Sequence, residues 1–197
     1  PEAHVVVPHG YRVHGSTEGG VSLALPGGWR AVSGADARYP GVIQTLGKVH
    51  PAFLPYLMAL ATPDSSVKLF AFDAFSNRKH PSTVSIQVAL SAPPGSYAHW
   101  TARALRSLAT LRTLRGKLTS RRLDLPAGRA LRVEFLRSDG DLVVIYVVGR
   151  RDGLWALTFA APPRAPGRAA FDRAAATLEL TLPVGGPHIA GGNRLSD

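Results

Sequence analysis

The side chains that could carry out chemistry in this sequence are histidines, serines and acidic residues, and their spacing matches no common metal motif. The seven histidines form neither an HExxH motif nor a pair four residues apart on one helix face. A metal site would therefore need at least three ligands that only the tertiary fold brings together. We expect the histidines to be surface residues and predict no metal site.

The candidate nucleophiles and acids lack recognisable partners as well. No serine lies in a GxSxG motif. Asp139 and Asp141 bracket Gly140, which is typical of a hairpin turn rather than of a catalytic pair of carboxylates. Glu134 is a single acid among arginines, and we predict that it forms a cross-strand ion pair near Arg132. We therefore predict that the protein is not an enzyme and assign no catalytic residue.

Cofactor chemistry finds no support in the sequence either. The chain contains no cysteine, which excludes disulfides, cysteine–zinc sites, iron–sulfur clusters and thiol catalysis. The glycine pairs Gly19-Gly20 and Gly27-Gly28 fit neither a dinucleotide-binding loop nor a P-loop. No apolar run reaches the roughly 18 residues that a membrane-spanning helix needs. We predict no cofactor and no transmembrane segment.

The sequence is strongly basic, with 23 lysines and arginines against 13 acidic residues and a formal net charge of +10. Such a balance favours anionic partners, such as a membrane surface or an acidic polymer. A bias in coding composition would also produce an arginine-rich chain. We do not expect nucleic-acid binding, because the aromatic residues fall in core patterns rather than between the basic ones. The candidate anion-contacting rim comprises Arg121, Arg122, Arg150 and Arg151.

Residues 42–61 form an unusually apolar segment in which hydrophobic side chains recur at about 100° per residue, the helical period. Pro51 predicts a break, so we expect two helices at 41–49 and 52–61. Core packing of a covering layer would explain the pattern. The alternative is a groove for a lipid-like ligand or a docking face for a protein. The residues that would line this surface are Phe53, Leu54, Leu57 and Met58.

Elsewhere apolar and polar residues alternate, as in half-buried strands. Two Asp-Gly pairs, at 139–140 and 152–153, predict hairpins and therefore antiparallel pairing. Ser96 predicts the N-cap of a long helix that extends to about Leu114. Strands are predicted at 5–7, 21–25, 67–75, 84–90, 117–125, 129–137, 142–148, 154–161 and 178–182, and a short helix at 169–176.

Several of these strands are apolar on both faces, so both faces of the sheet need cover. We predict an α+β fold, a single α/β/α sandwich with a largely antiparallel central sheet covered by helices on both faces. Residues 21–182 form this domain, residues 1–20 an N-terminal extension with one short edge strand, and residues 183–197 a flexible tail. The chain begins with Pro1 rather than Met, so we expect that the native N-terminus is not included.

Four segments of the chain resemble the PsbP-like superfamily, which includes the Ran-binding Mog proteins. Leu25–Trp29 (LPGGW), at the end of a predicted strand, is similar to the lPxGW opening of that group. Leu125–Ala130, Leu154–Phe159 and Phe171–Leu178 are similar to later segments of the same group. The resemblance covers about residues 20–182. Within this superfamily, the chain most resembles the actinobacterial LpqN-like exported lipoproteins.

This resemblance implies the α/β/α sandwich and a protein that is exported or attached to the cell envelope. Members are mostly non-catalytic and act through protein contacts, so no active site carries over. A lipoprotein would keep a lipid-bearing cysteine near its mature start, and this chain has none. We predict a non-catalytic exported binding module for an unknown protein partner. The alternatives are a carrier of a lipid-like apolar ligand and a binder of an anionic membrane surface or polymer.

Overall fold

The structure, a computed structural model, describes residues 5–16, 20–62, 65–75, 81–90, 95–163, 165 and 167–181. The tail predicted at 183–197 lies outside the described residues. The strands are β1 (Tyr11–Ser16), β2 (Val21–Pro26), β3 (Trp29–Ser33), β4 (Val67–Asp73), β5 (Thr83–Leu90), β6 (Leu114–Leu125), β7 (Gly128–Arg137), β8 (Leu142–Arg150), β9 (Gly153–Ala161) and β10 (Glu179–Leu180). The α-helices are α1 (Gly34–Ala37), α2 (Pro40–Val49), α3 (Leu54–Ala61), α4 (Tyr97–Ala109) and α5 (Arg168–Ala175), and a 3-10 helix spans Pro51–Phe53.

The central sheet contains seven strands in the order β3-β4-β5-β9-β8-β7-β6, each antiparallel to its neighbours. Tight turns at the two Asp-Gly pairs connect β7 to β8 and β8 to β9. Gly140 and Gly153 have φ angles of +92° and +154° there, which glycine adopts at little cost. The local sequence therefore fixes the antiparallel pairing of β7, β8 and β9, as predicted.

A second sheet, with the order β1-β2-β10, packs together with α5 on one face of the central sheet, here called the α5 face. Alternation along the strands sends one set of apolar side chains into this interface. Leu23 and Leu25 of β2 meet Tyr146 of β8, Phe159 of β9 and Phe171 of α5, and all five side chains are buried. The largest of the three apolar clusters among the described residues lies between these two layers.

Helices α1 to α4 cover the opposite face of the central sheet, here called the α4 face. Helix α4 packs Trp100 against β7 and β8, where Val133 and Ile145 point away from the α5 face. Helix α3 packs Leu57 against Phe70 of β4. Helices α1–α3 and helix α4 thus form two separate units on this face. They are separate because α3 packs on β4 and α4 on β8, and these strands lie three positions apart in the sheet.

The predicted α+β fold with a largely antiparallel sheet is confirmed, but the cover differs from the prediction. We expected helices on both faces, whereas a second sheet supplies most of the cover on the α5 face and α5 supplies the rest. The strand expected at Val5–Val7 is wrong as well. The strand of this region lies at Tyr11–Ser16, where every residue from Tyr11 to Ser16 pairs with β2. Pairing with β2, rather than local β-propensity, decides its position.

Helix boundaries follow local signals at the start of α4 and tertiary pairing at its end. The Ser96 hydroxyl accepts a hydrogen bond from the backbone N–H of His99 at 3.3 Å, so the predicted N-cap is confirmed. The helix ends at Ala109, short of the predicted Leu114, because Leu114 already pairs with Arg137 as the first residue of β6. The predicted break at Pro51 is confirmed, since α2 ends at Val49 and α3 begins at Leu54.

Candidate functional site

Asp172 of α5 is the centre of a polar cluster on the α5 face. Arg132 donates from Nε to Asp172 Oδ1 at 2.8 Å, and Arg121 donates from Nη2 to Oδ2 at 3.0 Å. The Tyr146 hydroxyl also donates to Oδ1. Arg121, Arg132 and Tyr146 are register partners across β6, β7 and β8, so their side chains lie on one face of the sheet. The sheet thus presents three donors to one carboxylate of the helix.

Glu134 extends this cluster to the start of α5. Its Oε2 lies 3.0 Å from Nη1 of Arg132, and its Oε1 accepts a hydrogen bond from Nε of Arg168 at 2.6 Å. The expected ion pair of Glu134 is present, but its partners differ from the cross-strand neighbours that we predicted. Arg132 lies two residues away on the same strand, and Arg168 is the first residue of α5.

The electrostatics of the cluster favour a structural role over acid–base catalysis. Burial opposes ionisation of Asp172, but hydrogen bonds from Tyr146 and Arg132 outweigh it and lower the pKa of Asp172. Burial likewise opposes ionisation of Glu134, yet the pKa of Glu134 is lowered by hydrogen bonds from Arg168 and Arg132. A general acid or base works best with a pKa near the operating pH. Both carboxylates stay ionised instead and hold α5 on the sheet.

Two of the four arginines predicted to form one anion-contacting rim point in opposite directions. Arg121 and Arg122 are adjacent residues of β6, so their side chains lie on opposite faces of the sheet. Arg121 belongs to the cluster around Asp172. Arg122 lies on the α4 face, with its guanidinium carbon 5.4 Å from the ring centroid of Tyr97.

The other two arginines of the predicted rim lie at the turn between β8 and β9. Arg150 donates from Nε to Asp152 at 3.2 Å and from Nη1 to the carbonyl oxygen of Leu180. Arg151 is exposed in the turn itself. Because Arg121 and Arg150 already contact carboxylates, neither offers a free charge to an anion.

The structure splits the predicted apolar surface into an inner and an outer pair. Phe53 and Leu57 are buried in the core beneath the helices, and the Phe53 ring lies 5.0 Å from that of Phe70. Leu54 and Met58 lie one helical turn apart on the outer side of α3, with 43% and 54% of their area exposed. Only the outer pair can meet a partner, because the inner pair fixes α3 to the sheet.

We define the α2–α3 surface by three exposed apolar residues: Val49 at the end of α2, and Leu54 and Met58 of α3. The Val49 side chain is 65% exposed. Helix α2 approaches α3 closely, since a Cβ at Gly47 would lie 3.2 Å from Cδ1 of Leu54. None of the ten residues of α2 is buried. The apolar segment singled out in the sequence therefore leaves part of its hydrophobic area in water.

A cleft of about 320 Å³ opens on the α5 face, where the chain crosses from the small sheet to the central sheet. Trp29 packs against the core but remains half-buried at the cleft. Its lining includes Tyr11, Leu25, Trp29, Asp73, Phe171 and Arg173.

A second groove, of about 310 Å³, runs beside α4 on the opposite face. Its floor includes Ala156 and Thr158 of β9 and Gln87 of β5, and Leu108 of α4 forms part of its wall. Arg103 of α4 is the one charged residue of the lining. The groove exists because small side chains cover the sheet between the two helical units.

The described ranges contain neither a cluster of metal-ligating side chains nor a helix suited to span a membrane. In these ranges no three histidine, aspartate or glutamate side chains come close enough together to hold a metal ion. No helix in the described part of the chain combines the length and the hydropathy of a membrane span.

Comparison with solved structures gives a clear result for the architecture. The solution structure of cyanobacterial PsbP (CyanoP) from Synechocystis sp. PCC 6803 matches this chain with a TM-score of 0.52 and 14% sequence identity. The match covers 91% of this chain and 98% of that chain. This chain has the PsbP-like fold. No family model and no curated protein matches the sequence. The closer resemblance to actinobacterial LpqN-like lipoproteins stays a prediction.

Within the PsbP-like fold, the motifs that carried the resemblance have structural positions. Leu25–Trp29 forms the crossover between the two sheets, and Phe171–Leu178 forms most of α5 and its exit towards β10. Sequence reasoning missed that Asp172 binds the arginines of β6 and β7. The available signal was an acid placed between the apolar positions Phe171 and Ala174, on the side of the helix that faces the sheet.

Proposed function

We propose that this chain is a non-catalytic binding module and that it binds another protein through the α2–α3 surface. One observation carries the proposal: Val42, Ile43 and Leu46 of α2 are only half-buried where they pack against the core, and Val49 at its end is exposed. Val49 and Met58 are each more than half exposed. Neighbouring exposed apolar side chains on a folded domain mark interaction surfaces.

The energetics indicate what else a partner has to contact. Full burial of a Val, Leu or Met side chain contributes about 1.5–3 kcal/mol. Val49, Leu54 and Met58 are roughly half exposed, so together they would contribute about 3 kcal/mol. A micromolar complex requires about 8 kcal/mol. The remainder would come from flanking exposed groups such as Tyr39 and Lys48, so we expect a partner with an apolar face bordered by an acidic residue.

We further propose that the protein is exported or attached to the cell envelope. The support is the resemblance of its motifs to exported lipoproteins. The natural full-length gene fused to alkaline phosphatase, which is active only outside the cytoplasm, tests this location. Phosphatase activity in intact cells is the expected result, and an inactive fusion that is present in the cytoplasm would contradict it.

Charge substitutions on the α2–α3 surface test the binding proposal. The protein that copurifies with the wild-type chain from its source cells is identified by mass spectrometry, produced separately and titrated against purified variants. L54E and M58E each place a carboxylate in the proposed interface, so affinity should fall at least tenfold. L136E is the matched control, because Leu136 is 47% exposed on β7. If L54E and M58E bind the partner with unchanged affinity, the binding proposal is wrong, and residues 42–61 only cover the sheet.

A second candidate function, carriage of a lipid-like apolar ligand, is favoured by the groove beside α4. A mostly apolar lining that includes Arg103 suits an alkyl chain that ends in an acidic group. Titration with a fluorescent long-chain fatty acid tests this candidate. R103Q should weaken binding, whereas R106Q on the same helix, outside the groove lining, should not. Absence of saturable binding to the wild-type protein would remove the candidate.

A further inference from the structure

The cleft on the α5 face exists because β2 and β3 belong to different sheets and only Gly27-Gly28 separates them. Each glycine bonds to a different layer. The N–H of Gly27 donates to the carbonyl of Gly10, just before β1, at 2.9 Å. The carbonyl of Gly28 accepts from the N–H of Ala74, just after β4, at 3.1 Å. The two sheets therefore diverge at this turn, and α5 closes the opposite side of the gap.

Apolar side chains form most of the wall of this cleft. Leu25, Phe159 and Phe171 are buried and form its inner part, while Tyr11 and Trp29 are half-buried near its mouth. The volume of about 320 Å³ corresponds to roughly ten water molecules. It lies at the small end of the range of about 300–1,000 Å³ that ligand pockets span. A ligand of amino-acid or dipeptide size fits such a space.

Asp73 supplies a carboxylate to the lining. It is the register partner of Trp29 in the β3–β4 pair, so both side chains lie on the α5 face. Its Oδ1 accepts a hydrogen bond from the N–H of Phe75 at 3.2 Å. Within the described residues Asp73 forms no ion pair, and none of them contacts its second carboxylate oxygen.

Arg173 supplies a guanidinium group from the other side of the cleft. Its Nε donates to the Tyr11 hydroxyl at 3.3 Å, and no carboxylate of the described residues pairs with it. Arg168, one and a half turns earlier on α5, is paired with Glu134. Arg173 is the one basic residue of the cleft lining, and no group in the described part of the chain accepts from its other donors.

We propose that this cleft binds a small zwitterion with an apolar side chain, of amino-acid or dipeptide size. The ammonium group binds Asp73, the carboxylate binds Arg173, and the apolar side chain packs against Trp29 and Phe171. Each charge of the ligand then meets an opposite charge in a partly dehydrated site, where ionic hydrogen bonds are stronger than in water. The cleft lies on the α5 face and the α2–α3 surface on the other, so this inference is independent of the proposed function.

Other classes of ligand fit the lining less well. A fatty acid carries no cationic group for Asp73, and a nucleotide would offer several phosphate charges to the single guanidinium of the lining. A purely apolar compound would leave Asp73 and Arg173 partly dehydrated without partners, which is costly. Opposite charges at an apolar cleft therefore favour a ligand that itself carries both signs.

Titration of the 15N-labelled protein, followed at the indole N–H of Trp29, tests the proposal. The probes are L-phenylalanine and L-alanyl-L-phenylalanine, which differ in the separation of their charges. The controls are phenethylamine, which lacks the carboxylate, and 3-phenylpropionate, which lacks the ammonium group. At least one zwitterion should shift the Trp29 indole signal saturably. The affinity of each control compound should be at least tenfold weaker. The indole signals of Trp100 and Trp155, outside the lining, should stay in place.

Two variants separate the ionic contacts. D73N should weaken binding of the zwitterion and of phenethylamine at least tenfold and leave 3-phenylpropionate unchanged. R173Q should weaken binding of the zwitterion and of 3-phenylpropionate at least tenfold and leave phenethylamine unchanged. R103Q, on the α4 face, controls for the loss of one charge. The amide spectrum of each variant verifies that it is folded. If neither zwitterion shifts the Trp29 signal at about 20 mM, any affinity is weaker than millimolar, and the proposal is overturned. An affinity that neither D73N nor R173Q changes would overturn it as well.

Discussion

Replacing Asp172 by asparagine should destabilise the domain, because this carboxylate faces a buried arginine. The Arg132 side chain is only 8% exposed, and D172N removes the charge that its Nε contacts at 2.8 Å. Removing one partner of a buried ion pair costs about 3–5 kcal/mol. Asp172 itself is 35% exposed and Arg132 keeps Glu134, so we expect a smaller loss of about 2 kcal/mol. For a domain of this size, Tm should fall by roughly 4–8 °C.

Urea unfolding monitored by far-UV circular dichroism measures this loss, and D139N is the matched control. Asp139 pairs with Arg137 at 2.6 Å, but the two side chains are 53% and 35% exposed. An exposed ion pair contributes about 0–1 kcal/mol, and Asn-Gly preserves the hairpin turn. If D172N and D139N cost the same within about 0.5 kcal/mol, the reasoning from burial is wrong.

Three further predictions follow from the same structure. Folding lowers the pKa of Asp172 and of Glu134, so below about pH 4 the unfolded chain binds more protons. The urea midpoint should therefore fall as pH drops below about 4.5, and less steeply in D172N. A Cβ at position 149 would lie 2.7 Å from the Trp100 ring, so G149A should lose about 1–3 kcal/mol and alter the near-UV circular dichroism. S96A removes the N-cap of α4 and should lose about 1 kcal/mol in urea unfolding, whereas S107A, at an exposed interior position of α4, should change stability little.

The hairpins of the central sheet could be predicted from sequence because their determinants are local. Asp-Gly pairs set the turns, and period-two alternation sets the faces of the strands. The second sheet could not be predicted, because β2 pairs with β10 across most of the chain. Ser22 and Glu179, which share a hydrogen bond of 2.8 Å, are 157 residues apart. No local pattern carries information about such a contact.

The candidate surfaces show the same distinction. Helical periodicity placed Phe53, Leu54, Leu57 and Met58 in one apolar set, but it could not say which side of α3 faces the sheet. Contact with Phe70 decided that, and it left only Leu54 and Met58 outside. Strand alternation alone already shows that Arg121 and Arg122 point to opposite faces, and the prediction of one rim overlooked it.

Site-specific photocrosslinking from the α2–α3 surface tests the central claim most directly. A benzophenone amino acid replaces Met58 in one variant and Leu111, which is 40% exposed beyond the end of α4, in the other. Irradiation in the source cells should give a discrete adduct with another protein from position 58 and none from position 111. Adding L54E to the position 58 variant should abolish the adduct. No adduct from position 58, or the same adducts from both positions, would contradict a binding role for this surface.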